Sequence, residues 1–123
     1  MAEGRKKLMV IDDELGRELL VQLFEDDYDV VTVTQGGTAL EQVRTEQPDL
    51  ILLEPVLPLL DGLGLASQVR QIETLREVPI LAVTAAGMPD DEERAREAGC
   101  NDFIIKPIDE EDLRERIQRF LGD

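Results

Sequence analysis

The chain has no histidine, no tryptophan and a single cysteine, Cys100. Each absence removes a class of chemistry. Without histidine there is no imidazole base for a Ser-His-Asp triad, no imidazole metal ligand and no phosphohistidine of its own. One cysteine excludes an internal disulfide and any multi-cysteine zinc site. Three phenylalanines and one tyrosine are too few for a base-stacking surface. No apolar run approaches the roughly 20 residues needed to cross a bilayer. The start, Met1 to Lys7, carries charges without the apolar core and cleavage site of a signal peptide. A cytoplasmic protein is therefore expected. Basic residues are scarce too, 13 against 28 acidic, for a formal charge of -15. Such a surface repels nucleic acid and anionic lipid. Arg5-Lys6-Lys7 is a short basic run and no patch, so neither nucleic acid nor membrane is an expected partner.

What is present fits one globular domain over residues 1–123. A chain of this size buries roughly two-thirds of its unfolded surface, enough for a core without staples. Five short apolar runs alternate with five longer amphipathic stretches. The runs are Leu8–Ile11, Val30–Val33, Leu50–Leu53, Ile80–Val83 and Phe103–Ile105. All but the second are nearly continuous, as parallel strands covered on both faces should be. The second mixes Thr32 with valines and suits an edge.

Helical spacing fills the intervals. Leu15, Leu19, Leu20, Leu23 and Phe24 predict the inner face of a first helix. Ala39, Leu40 and Val43 mark a second, ended by Pro48. Leu65, Val69 and Ile72 mark a third, and Leu113, Ile117, Phe120 and Leu121 a fifth with Asp109 at its N-cap. The fourth, after Met88-Pro89-Asp90, turns only Ala95 and Ala98 inward, so it is expected to be the most mobile. Strict alternation of strand and helix implies an α/β fold, a doubly wound five-stranded parallel sheet with helices on both faces. Ligands of such sheets bind outside the carboxyl ends of the strands.

Those ends carry Asp12 and Asp13, Glu54, Thr84 and Lys106. Clustered carboxylates must be neutralised by a proton, a cation or a lysine. Oxygen ligands without histidine or thiolate favour Mg²⁺, with Mn²⁺ an alternative. A lysine and a hydroxyl opposite such a metal suit a phosphoryl group.

With these residues the chain resembles the receiver domain of bacterial two-component response regulators. The matching pieces are Val10-Ile11-Asp12-Asp13-Glu14, Pro48 to Glu54, Pro58 with Asp61-Gly62, Val83-Thr84-Ala85 and Phe103-Ile104-Ile105-Lys106-Pro107. The resemblance implies a flavodoxin-like sheet of strand order 2-1-3-4-5. It implies Mg²⁺ held by Asp13 directly, Asp12 through water, the carbonyl of Val56 and the acceptor carboxylate. It further implies Lys106 and Thr84 as phosphoryl partners, Ala85 beside them, and Phe103 as an aromatic that responds to Thr84. A Lys106-Pro107 bond in the cis form is also implied. The implied partners are a sensor histidine kinase or phosphotransfer protein, a downstream effector on the fourth and fifth helices, and a second copy in a homodimer. No output domain is expected after the fifth helix, so the effect is expected to pass through a bound partner or through a region removed from this chain, and no enzymatic activity is expected.

One position departs from the family. The acceptor is an aspartate there, and Glu54 stands in its place. The extra methylene carries the carboxylate roughly 1.5 Å further, and a misplacement of about 1 Å costs on the order of 100-fold in rate. Phosphorylation is therefore expected to be very slow or absent. The longer arm reaches instead toward Lys106 and Thr84, which makes the chain a phosphomimetic or a pseudo-receiver. Pro55 should stiffen the loop that places Val56.

Plainer roles compete. Asp12-Asp13 can cap the first helix, Glu54 can be an ion-pair partner of Lys106, Thr84 a turn residue, and Phe103 plain core. Cys100 reads as a small buried hydrophobe, Asp61-Gly62 as a turn. Glu14, Glu18 and Glu25, like Arg114, Arg116 and Arg119, read as solvated faces. Two enzyme folds on similar sheets fit poorly. Haloacid-dehalogenase-like phosphatases separate their two acids by one residue, whereas Asp12 and Asp13 are adjacent. A flavodoxin-like phosphate loop would have to tolerate Asp12-Asp13-Glu14. A phosphorylation-independent interaction module of the same fold is the remaining alternative.

Overall fold

A computed structural model describes residues 4–33, 38–57, 60–85 and 90–122. The elements in order are β1 (Lys7–Ile11), α1 (Glu14–Phe24), β2 (Asp29–Thr32), α2 (Ala39–Glu46), β3 (Leu50–Leu53), β4 (Val56–Leu57), β5 (Leu60–Asp61), α3 (Gly62–Arg70), a 3-10 turn (Glu73–Leu75), β6 (Ile80–Thr84), α4 (Asp91–Glu97), β7 (Asp102–Ile105) and α5 (Glu110–Leu121). Five strands form one parallel sheet in the order β2-β1-β3-β6-β7. With the small β4–β5 ribbon set aside, this is the expected 2-1-3-4-5, and β2 lies at an edge as its mixed composition predicted.

The continuous apolar runs divide by alternation between two cores. Met9, Ile11, Ile51, Leu53, Ile80 and Ala82 face α2, α3 and α4 through Val43, Leu65, Val69 and Ala95. Leu8, Val10, Leu50, Leu52, Leu81 and Val83 face α1 and α5 through Leu20, Phe24, Leu113 and Ile117. In register, Ile11 sits beside Leu53 and Thr84 beside Ile105. The residues that follow therefore emerge along one rim.

The inner face of α1 differs from expectation. Leu15 and Leu19 are 78% and 43% exposed, and the buried stripe is Gly16, Leu20 and Phe24, with Leu23 partly covered. At 3.6 residues per turn, positions 16, 20, 23 and 24 share one narrow arc, and positions 15 and 19 rotate off it. Ile72 also lies past the end of α3, although its N–H still reaches the carbonyl of Val69 at 3.1 Å. The β4–β5 ribbon was not expected, because strands of two residues carry no periodic signal. Asp109 caps α5 as predicted, accepting from the N–H of Asp112 at 3.1 Å. Pro58, Met88 and Pro89 lie outside the described residues.

Candidate functional site

The end of β1 delivers two carboxylates with different duties. Asp12 is buried. Its Oδ1 accepts from the N–H of Asp13 at 2.6 Å and from Lys106 Nζ at 3.2 Å. Its Oδ2 lies 3.0 Å from the same ammonium but outside hydrogen-bonding orientation, which leaves a buried oxygen without a hydrogen-bond partner. Asp13 is exposed and is the N-cap of α1, its Oδ1 accepting from the N–H of Gly16 at 2.7 Å. The capping role weighed for this pair thus belongs to Asp13 alone.

Glu54 follows β3 and is tied to β1 by its own N–H, which donates to the carbonyl of Ile11 at 2.8 Å. Its buried carboxylate folds back so that Oε2 accepts from the N–H of Val56 at 2.9 Å, while Oε1 stands 3.4 Å from Lys106 Nζ. Lys106 leaves β7 with its N–H on the carbonyl of Thr84 at 2.9 Å, and its bond to Pro107 is cis. One ammonium therefore joins carboxylates from the ends of β1 and β3.

The ribbon explains where the carbonyl of Val56 points. Val56 pairs with Asp61 and Leu57 with Leu60, and the next rung is closed by Gly62 N–H donating to the carbonyl of Pro55 at 3.3 Å. Antiparallel rungs alternate between bonded and non-bonded, so Val56 and Asp61 form a non-bonded pair. The N–H and carbonyl of Val56 then both face away from Asp61, on the side where Glu54 lies. Gly62 permits this closure, since a Cβ there would collide with the Pro55 backbone. Asp61, read as a turn residue, is the N-cap of α3 and accepts from Gly64 N–H at 3.0 Å.

Thr84 is buried, Phe103 is half-buried, and both line a cleft of about 180 Å³ with Val56, Leu63 and Ala95. Ala85, immediately beyond Thr84, is exposed. A more open hollow of about 520 Å³ lies at the opposite ends of the strands, between Pro48, Glu73, Arg76 and Pro79. None of the strand-end carboxylates reaches it.

Burial dominates Asp12 and pushes its carboxyl above the ordinary 3.8, against the hydrogen bonds from Lys106 and from the N–H of Asp13. Burial pulls Lys106 down, but its hydrogen bond to Asp12 and the charges of Asp12 and Glu54 outweigh this and raise it above 10.5. Both members of the pair shift upward because the aspartate side chain is almost fully enclosed and the lysine only partly.

The donors suit a hard divalent cation: the orphaned Oδ2 of Asp12, the carboxylate of Asp13 and the directed carbonyl of Val56. Among the described residues, no three His, Cys, Asp or Glu side chains are grouped as a metal centre. As placed, Asp12 and Glu54 are drawn together by Lys106.

Sequence reasoning missed two supports of Asp12. Gly16 leaves the space its carboxylate fills, and Arg17 Nη1 donates to its carbonyl at 3.0 Å. Both lie one helical turn on, a spacing that points back at the strand end. Two arginines read as a solvated face are engaged instead. Arg114 stacks over Phe24 at 4.9 Å and pairs with Asp27 at 2.7 Å, while Arg116 pairs with Asp102 at 2.8 Å. Cys100 is buried and its thiol is pushed up to about 11 by that burial, which fits the plain hydrophobe.

Known proteins share this arrangement of strands and helices. The profile of the response regulator receiver domain matches residues 8–118. The polar-differentiation response regulator DivK of Brucella ovis is 39% identical over 120 residues, 96% of this chain and 98% of that protein. The chemotaxis protein CheY4 of Vibrio cholerae superposes with a TM-score of 0.88 at 25% identity, covering 96% of this chain and 100% of that one. The receiver domain of a sensor histidine kinase from Pseudomonas aeruginosa, solved with a magnesium ion coordinated in its active-site cleft, gives a TM-score of 0.85 at 29% identity, covering 98% and 100%. The chain belongs to the response regulator receiver domain family.

Proposed function

We infer that this receiver domain of two-component phosphorelay signalling works with Glu54 at the acceptor position and without a stable phosphoryl group. The observation that carries the reading is the engagement of Glu54 at both oxygens, on the N–H of Val56 and on Lys106. An acceptor oxygen must be free to attack phosphorus in line. Here the longer side chain spends its reach on the loop and the lysine, as a partial imitation of a phosphoryl group. The imitation is incomplete, since a carboxylate has one negative charge and a phosphoryl group about two. Mg²⁺ would be held by Asp12, Asp13, the Val56 carbonyl and Glu54, where it would neutralise their charge. The partners proposed are a sensor histidine kinase or phosphotransfer protein and an effector that meets α4 and α5, in a cytoplasmic setting and without catalytic turnover.

The test is incubation with Mg²⁺ and acetyl phosphate, read by intact mass. No gain of one phosphate is expected for the wild type, and a gain is expected for Glu54→Asp. Phosphorylation of Glu54 itself would overturn the reading. Failure of Glu54→Asp would mean that the rest of the site is also impaired.

A second reading is favoured by the link from Lys106 to both Asp12 and Glu54. An interaction module neutralised by its own lysine needs no metal. Melting curves with and without Mg²⁺ separate the two, because a ligand bound only by the native state raises the midpoint.

A further inference from the structure

Asp102 opens β7 with a carboxylate that is 9% exposed and divided between two helices. Its Oδ1 lies 3.2 Å from Nη2 of Arg96 on α4, and its Oδ2 lies 2.8 Å from Nη1 of Arg116 on α5. Arg96 also donates from Nη1 to the carbonyl of Asn101 at 2.8 Å. Each arginine is steadied on its own helix by an acid four residues before it, Glu92 for Arg96 and Asp112 for Arg116.

The same end of α4 is tied to α3. Arg70 donates from Nε and Nη2 to the carbonyl of Gly99, at 3.1 and 2.8 Å, and Ser67 donates to the carbonyl of Ala98 at 3.3 Å. Two neighbouring elements, α3 and β7, therefore grip the last turn of one helix, and α5 joins them through Asp102. Charge-assisted hydrogen bonds of this kind are stronger than neutral ones, and a largely enclosed carboxylate holds them in fixed directions.

The other end of α4 is built differently. Asp90 stands at its N-cap without a side-chain bond into the helix, and Ala95 is its one fully buried residue. Beside this half lies the cleft of about 180 Å³, with Asp91, Arg94 and Ala95 on one wall and Val56, Leu63, Thr84 and Phe103 across from them. A methyl group is a small anchor, and space on one side offers little resistance to a swing.

We propose that Asp102 is the pivot of α4: its two-arginine clamp fixes the C-terminal turn to β7 and α5, so that α4 moves by swinging its N-terminal half over the cleft beside Thr84 and Phe103. The mobility expected of α4 from its two alanines is thereby directional. Its outer surface is set by ion pairs at one end and by the state of the strand-end site at the other.

Hydrogen exchange of the full chain, followed amide by amide by NMR, tests this. In the wild type, the N–H groups of Ala98, Gly99 and Cys100 are bonded to carbonyls of α4, and that of Arg94 to the carbonyl of the N-cap residue Asp90. The first three are expected to exchange at least tenfold more slowly than that of Arg94. Asp102→Asn keeps the shape and removes the charge. It is expected to erase at least half of that difference while the amides of β1 and β3 keep their rates. Arg116→Gln, which leaves Arg96 in place, should produce a smaller loss of the same sign. Even protection along α4 in the wild type would overturn the proposal. So would an Asp102→Asn variant that leaves α4 unchanged or speeds every element equally.

Discussion

The carboxylate of Asp12 occupies the space in which a side chain of Gly16 would have to stand. The helix that begins beside the site thus gives up a Cβ at its third residue so that a buried acid can lie against it. In an ordinary helix interior, glycine to alanine is worth about 1 kcal/mol of added stability. Gly16→Ala is expected to do the reverse and destabilise by about 1–3 kcal/mol, the usual range for overpacking. It should also abolish any Mg²⁺-dependent rise in melting temperature, because Asp12 would be displaced. Denaturant melts with and without Mg²⁺ measure both effects, and a stabilised Gly16→Ala variant would refute the close approach.

Asp13 combines a helix cap with a proposed metal ligand, and substitution separates the two. Asp13→Ala removes the bond from Gly16 N–H and is expected to cost about 1 kcal/mol, as loss of an N-cap does. Asp13→Asn keeps a capping oxygen, so its stability without metal should stay within about 0.5 kcal/mol of wild type. Both variants should lose the response to Mg²⁺. A full response in Asp13→Asn would remove Asp13 from the metal shell.

Lys106 sets a pH dependence. Its value in the folded chain is raised above 10.5, so its contribution is complete below 10.5 and is lost as pH climbs through the raised value. The melting temperature is expected to decline in that alkaline range, and Lys106→Met should flatten the decline. At pH 7, Lys106→Met leaves Asp12 enclosed without its ammonium. We expect a cost of about 2 kcal/mol, below the about 3–5 kcal/mol of fully buried pairs because the lysine is partly exposed.

Asp12 has the opposite consequence at neutral pH. Its raised carboxyl favours folding only while protonated, a contribution present below 3.8 and lost as pH rises through the raised value. Asp12→Asn is therefore expected to raise the metal-free melting temperature at pH 7. Circular-dichroism melts from pH 5 to 11 check both, and identical profiles for the wild type and the two variants would contradict the pairing.

The rotation of α1 is open to the same kind of test. Leu15→Gln and Leu19→Gln should change stability by no more than about 0.5 kcal/mol. Leu20→Ala should cost about 2–5 kcal/mol, as core truncations do. Comparable costs at all three positions would restore the face that periodicity first indicated.

The sequence by itself determined the order and kind of the main elements and the polar residues that end the strands. It could do so because parallel strands covered on both faces read as unbroken apolar runs such as Leu50–Leu53. Tertiary structure alone decided which leucines of α1 turn inward, how β4 and β5 pair to aim the Val56 carbonyl, and that Asp12 meets the ammonium of Lys106, 94 residues on. It also decided that Asp102 would draw Arg96 and Arg116 together from two helices. These depend on how elements cross and in what register they meet, and no pattern within a single helix or strand encodes that.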